Sequence, residues 1–142
     1  MFGLKSKFLF LGLIGGMGIL LIPAGNPPLS FMNNNRSWNI LNWNIRGINS
    51  KDKWNAINQK IEESACVVVC IQETKREEFT TQYLRNFCPK RISKFAYLPS
   101  NGASGGILTA WNDSILEGEL VFQNKLSLSV QFTNRLSNQF PG

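Results

Sequence analysis

The sequence predicts a mixed α/β domain, on three observations. Trp38 to Asn44 reads as a strand, and a one-sided apolar stripe of helical spacing follows it. Cys66-Val67-Val68-Val69-Cys70-Ile71 is then apolar at every position, as expected of a strand covered on both faces in a parallel pairing. Strand, helix and buried strand make a βαβ unit. Downstream, Ile115 to Phe122 and Leu126 to Phe132 alternate apolar and polar residues around Gln123-Asn124-Lys125, the pattern of a hairpin.

The chain divides in two. Residues 1–35 form an apolar N-terminal segment and linker. Lys5 and Lys7 precede an uncharged run from Phe8 to Ile22, and Pro23 and Gly25-Asn26-Pro27-Pro28 follow it. A basic start, an apolar run and a small-residue region have the shape of a signal peptide or membrane anchor. The run falls short of the ~20 residues that span a bilayer, and an incidental upstream segment is the alternative. Asn33-Asn34-Asn35-Arg36 reads as a linker.

Residues 36–142 carry the folded pattern. Ser50 caps a helix beginning at Lys51, with Asp52 in the first turn, where a carboxylate favours the helix dipole. Trp54, Ile57 and Ile61 face the core. Thr74-Lys75-Arg76-Glu77 has the form of a capping box, predicting a helix with Phe79, Tyr83, Leu84 and Phe87 on one side, ended by Cys88-Pro89. Lys90, Arg91 and Lys94 form a basic loop. Phe95 to Leu98 and Ile107 to Trp111 are strands on either side of the turn Asn101-Gly102-Ala103-Ser104-Gly105-Gly106, and Trp111-Asn112-Asp113 leads into another turn.

Composition narrows the chemistry. The 43% hydrophobic and 11% aromatic content is globular, which excludes a disordered chain. A formal charge of +6 favours phosphate-rich partners or anionic membrane surfaces. Cys66, Cys70 and Cys88 are odd in number, and two lie in an apolar run, so they read as buried reduced thiols rather than a disulfide or metal framework. The chain contains no histidine, so any mechanism must do without the commonest general base or obtain it from another chain.

The two strands of the βαβ unit end alike, one at Asn44 and the other at Gln72-Glu73-Thr74. Side by side in a parallel pair, the Asn44 amide and the Glu73 carboxylate emerge at one sheet edge, where open α/β sheets bind ligands. A carboxylate beside a neutral oxygen donor suits Mg²⁺, a hard cation that takes one or two protein oxygens and shares the rest with water and phosphate. Spacing alone also accommodates Asn44 as a turn cap and Glu73 as a solvated residue before a helix.

Trp43-Asn44-Ile45-Arg46-Gly47, then Ile71-Gln72-Glu73-Thr74-Lys75, then Gly102-Ala103-Ser104-Gly105-Gly106-Ile107-Leu108 resembles, in order and spacing, the endonuclease/exonuclease/phosphatase family. Within it the flavour is that of plant LINE-type (non-LTR) retrotransposon endonuclease domains. The resemblance covers residues 38–132. It implies a four-layer α/β sandwich, of which this chain would be the N-terminal portion, and a Mg²⁺-dependent nuclease, a hydrolase of phosphodiesters. It implies Glu73 as the Mg²⁺ ligand and Asn44 as its companion at the metal and scissile phosphate. Arg46, Ser104 and Gly105 would meet nucleic acid, with DNA ahead of RNA, the glycines letting a phosphate approach closely.

The family's Asp-x-Asn motif and Asp-His pair are missing from this sequence, and Trp111-Asn112-Asp113 does not replace them. The chain is therefore expected to be an N-terminal fragment with half of a phosphodiesterase site, inactive alone. The alternatives are a non-catalytic nucleic-acid-binding remnant and a small membrane-tethered or secreted protein using residues 5–22. The expected location follows the same division: nuclear or cytoplasmic for a retroelement product, membrane or secretory if the N-terminal segment is used. Lys75 and Arg76 also fall beside the site and are candidates to face nucleic acid. Trp54, Trp38 and Trp43 read as packing residues.

Overall fold

The computed structural model describes residues 7–14, 18–22, 39–124 and 127–135. Along the chain run β1 (Lys7–Ile14), β2 (Gly18–Ile22), β3 (Ile40–Asn44), α1 (Lys51–Ser64), β4 (Val68–Gln72), α2 (Thr81–Leu84), β5 (Lys94–Leu98), β6 (Ile107–Trp111), β7 (Leu116–Gln123) and β8 (Ser127–Asn134). The fold is mixed α/β, with two four-stranded sheets and few helical residues. One sheet has the order β3-β4-β6-β5 and the other β2-β1-β8-β7.

The expected βαβ unit is present. Ser50 is extended at φ −151°, and its side chain accepts from the Lys53 amide, so α1 starts where the capping signal placed it. A helix of 14 residues is marginal by itself, and α1 is held by burying Ile57 and Ile61 against the sheet, with Trp54 packed beside them. β3 then pairs in parallel with β4, Asn44 opposite Gln72.

β4 is buried at every position, and its alternation sorts two cores. Val68 and Cys70 face a core shared with Ile107 and Trp111 of β6, Leu116 of β7 and Leu128, Val130 and Phe132 of β8. Val69 and Ile71 face a second core with Ile57 and Ile61, Phe79, Leu84, Phe87 and Ile92. The two sheets therefore pack face to face, and both helices lie on the far side of β3-β4-β6-β5. Among the described residues that makes three layers. Each such aliphatic side chain contributes roughly 1.5–3 kcal/mol on full burial, so β4 and its neighbour β6, also buried at every position, are strongly held.

The sheets meet at Trp111 and Phe132, whose rings stand edge to face at 5.4 Å. Gly118 lies under that tryptophan, and a Cβ there would come within 2.5 Å of the indole ring. β7 is an edge strand, with Leu120 and Phe122 exposed on either side of an irregularity at Val121.

The expected N-terminal segment supplies β1 and β2. They pair antiparallel with each other, and β1 pairs with β8. Lys5, residues 15–17, the Pro23–Pro28 stretch, the Asn33–Arg36 linker and Trp38, the expected start of β3, lie outside the described residues. No helix among the described residues is long and apolar enough to cross a membrane.

The helix expected behind Thr74 starts late and is short. Thr74 is buried, its amide donates to the Gly106 carbonyl, and the Lys75 amide donates to the Gly105 carbonyl. These bonds extend sheet-like pairing past β4, and Lys75 takes a left-handed φ of +56° that no helix continues. The helical turn forms only at α2, where Thr80 caps through its side chain to the Tyr83 amide at 3.0 Å. The core face of that segment is as expected, with Phe79, Leu84 and Phe87 buried and Tyr83 half-buried.

Candidate functional site

The site lies at the carboxyl ends of β3 and β4. Asn44 is the last residue of β3, and Glu73 follows β4 immediately. Parallel pairing sets them side by side, and Asn44 Nδ2 donates to Glu73 Oε2 at 2.6 Å. The amide spends its donor on the carboxylate and leaves Asn44 Oδ1 buried with no partner. A second buried polar atom without a partner, Gln72 Nε2, belongs to the residue opposite Asn44 in the register.

Buried polar groups ordinarily find partners, and an unpaired one costs about 1–3 kcal/mol. An acceptor beside a carboxylate, with an amide donor on the adjacent strand, is the donor set expected for a hard cation together with its water or phosphate ligands. The residues fit Mg²⁺ on this observation. Among the described residues no group of three or more His, Cys, Asp and Glu side chains converges, so the protein would supply a small share of such a cation's ligands.

Backbone bonds lace the three expected motifs together. Ile45, Gly47 and Ile48 donate to the carbonyls of Gln72, Glu73 and Thr74, at 3.0, 2.7 and 2.9 Å. Thr74 and Lys75 in turn donate to Gly106 and Gly105, at 3.1 and 2.8 Å. The loops after β3 and β4 and the glycine turn before β6 thus form one sheet-end layer.

That layer is strained. Arg46, Glu73 and Lys75 have φ of +54°, +54° and +56°, in the region L-residues avoid. Such residues cluster where surrounding structure over-determines them, functional sites above all. Gly106 is needed for packing, because a Cβ would come within 2.2 Å of Thr74 Oγ1. Gly105 has open space around it.

The other expected residues divide. Arg46 is exposed beside Asn44, and Lys75 is exposed with its stem 3.7 Å from the Cβ position of Gly47. Ser104 and Gly105 are exposed and line a cleft of about 520 Å³ with Leu98, Pro99, Ser100, Asn101 and Gly106. Ser104 also closes the turn through paired backbone bonds with Asn101. Arg76 is committed to packing. Its guanidinium lies 3.4 Å from the Tyr83 ring centroid and donates to Asn49 Oδ1. Arg91 pairs with Glu62 at 3.0 Å on the surface, where such a pair adds little.

Trp54 donates to the Ile48 carbonyl at 2.6 Å and stands edge-on to Tyr83, so it packs as expected. Trp43 also packs against the helical-side core, and Trp38 lies outside the described residues. The three cysteines are free and buried. Burial pushes Cys88 up to about 12 from an ordinary 9.0, and pushes Cys66 and Cys70 up as well. They are inert as nucleophiles.

Sequence reasoning missed Lys53, whose Nζ reaches the carbonyls of Ile45, Arg46 and Gly47. Nothing in the sequence sets it apart from Lys51, the other lysine in the first turn of α1.

Models of known protein families and curated proteins return no match to the chain.

Proposed function

We propose that this chain carries the metal-holding half of a Mg²⁺-dependent phosphodiesterase site acting on nucleic acid, DNA ahead of RNA, on a partial four-layer α/β sandwich of the endonuclease/exonuclease/phosphatase type. The observation that carries this proposal is the Asn44–Glu73 contact with Asn44 Oδ1 left unpartnered. Two face-to-face sheets with helices on one side are compatible with the larger sandwich.

In this proposal Glu73 and Asn44 Oδ1 hold the cation. A bound Mg²⁺ neutralises charge developing on a phosphodiester oxygen. The Asn44 amide orients the Glu73 carboxylate through its own donor, and Gln72 Nε2 offers a second donor on the adjacent strand. Arg46 and Lys75 are exposed cations in the two loops that carry the site, suited to a polyanionic backbone. Ser104 and Gly105 border the approach. No side chain here is suited to take the proton from water. The histidine and second acidic group must come from outside these residues, so the chain alone is expected not to turn over.

The test is Mg²⁺ titration of the full chain, followed by ¹⁵N spectra, with a plasmid nicking assay alongside. Mg²⁺ should shift the Asn44 side-chain amide and the residues around Glu73, and Glu73→Ala should abolish those shifts. An unchanged spectrum at ~20 mM Mg²⁺ sinks the metal assignment. Nicking that Glu73→Ala removes would show a complete site and overturn the expected inactivity. Salt-sensitive DNA binding that Mg²⁺ and Glu73→Ala leave untouched would favour a binding remnant instead.

A further inference from the structure

The turn after Asn44 has its amides and carbonyls taken on different sides. The amides of Ile45 and Gly47 point to the β4 loop. The carbonyls of Ile45, Arg46 and Gly47 converge on a single atom, Lys53 Nζ, at 2.5, 3.5 and 3.3 Å. Three consecutive carbonyl dipoles aimed at one point repel unless a cation sits there. An ammonium has three donors and no acceptor, so the lysine matches this cradle donor for acceptor. It does so from the first turn of α1, where a positive charge is disfavoured by the helix dipole. Lys53 is half-buried, and the turn it fills contains the strained Arg46 and Gly47 at φ +103°.

We propose that Lys53 is the positioning residue of the Asn44–Glu73 site: its ammonium fills the carbonyl cradle and holds the strained turn that aims Asn44 Oδ1 and presents Arg46. This rests on the assignment of Asn44 and Glu73 as a cation half-site. The bonds of Lys53 Nζ run to the carbonyls of Ile45, Arg46 and Gly47 and not to Asn44 or Glu73. It acts through the backbone of the three residues that follow Asn44.

The experiment uses the full chain with Lys53→Met and Lys53→Ala, read by two independent signals. The first is the strong intraresidue NH–Hα nuclear Overhauser effect of a left-handed Arg46. The second is the Mg²⁺ dissociation constant from the Asn44 side-chain amide. In Lys53→Met the Arg46 signal should disappear and Mg²⁺ binding weaken about tenfold or more, the usual size for loss of an outer-shell support, while the Val68–Ile71 amides keep their protection. Methylammonium should restore both signals to Lys53→Ala, because it refills the cradle without the tether. Mg²⁺ affinity within twofold of wild type in Lys53→Met overturns the proposal. If Lys53→Met loses its protected strands, failure of methylammonium to restore Lys53→Ala overturns it instead. If the wild-type chain binds no Mg²⁺, the half-site assignment falls separately, and the Arg46 signal alone decides: its survival in Lys53→Met overturns the hold on the turn, and its loss upholds it.

Discussion

Ala65 and Glu73 hold nearly the same left-handed backbone, with φ of +51° and +54°. Their settings differ. Ala65 is exposed and caps α1, its amide donating to the Ile61 carbonyl, a position where glycine is the usual occupant. Its side chain does nothing that glycine would forfeit. Glu73 sits with two other strained residues, Arg46 and Lys75, and with Gly47, Gly105 and Gly106, which take positive φ without strain, all at one end of a sheet. Its side chain accepts from Asn44. At the helix end the strain is local and disposable. At the sheet end a carboxylate occupies a position glycine would fill more cheaply, and interlocking backbone bonds keep it there.

Those bonds are tested most severely at Gly106. A Cβ there would meet Thr74 Oγ1 at 2.2 Å and the Lys75 amide at 3.2 Å, on a backbone at φ +97°. Overpacking and left-handed strain together put the loss for Gly106→Ala at about 3 kcal/mol. Gly105→Ala meets nothing within 4 Å and pays the strain alone, roughly 1–2 kcal/mol. Urea denaturation of both variants measures the difference. Equal losses would mean that the glycine turn is not clamped onto the β4 loop.

Away from the site, stability responds to pH through the cysteines. Burial raises Cys70 and Cys88, the latter to about 12 from 9.0, so both stay protonated in the fold while the unfolded chain ionises. Above pH 9 the native state therefore holds more protons than the unfolded state, and stability falls as pH rises. It should be flat below about pH 8 and fall by about 1.4 kcal/mol per pH unit for each thiol between pH 9 and 12. Urea midpoints at pH 7 and pH 10 should differ by about 2–3 kcal/mol on that basis, and Cys88→Ala should remove part of the slope. Part of the slope that survives replacement of both thiols belongs to Cys66, which burial also raises, and a slope that survives replacement of all three assigns it to other groups.

The parts visible in the sequence are those set by local pattern. Ser50, the Ile57–Ile61 stripe and the apolar run ending at Ile71 specify α1 and β4 without knowledge of any partner, and the Asn44–Glu73 contact follows from parallel pairing. Where the deciding partner is distant, pattern misleads. Thr74-Lys75-Arg76-Glu77 has a helix-start composition, yet Gly105 and Gly106, thirty residues on, claim the amides of Lys75 and Thr74. Phe8 to Ile22 carries no alternation, so nothing in it announces strands, and β1 takes its register from β8, more than a hundred residues later. Lys53 looks like one more surface lysine until the turn it fills is folded.

The smallest expected effect separates the two strained positions most cleanly. Ala65→Gly removes left-handed strain of roughly 1–2 kcal/mol and adds unfolded-chain entropy of roughly 0.5–1 kcal/mol. The net gain is about 0.5–1 kcal/mol, a rise in Tm of roughly 2–3 °C for a chain of this size. Glu73→Gly releases the same strain but strips Asn44 Nδ2 of its acceptor at a half-buried position, a loss of about 1 kcal/mol that cancels the gain. Its Tm should stay within about a degree of wild type while its Mg²⁺ shifts vanish. Pairing the substitutions extends the contrast: the sites share no side-chain partner, so the double variant should show the Ala65→Gly gain in full. If Glu73→Gly instead stabilises as much as Ala65→Gly, the Asn44–Glu73 bond contributes nothing to the fold, and the carboxylate is held in its strained place by function alone.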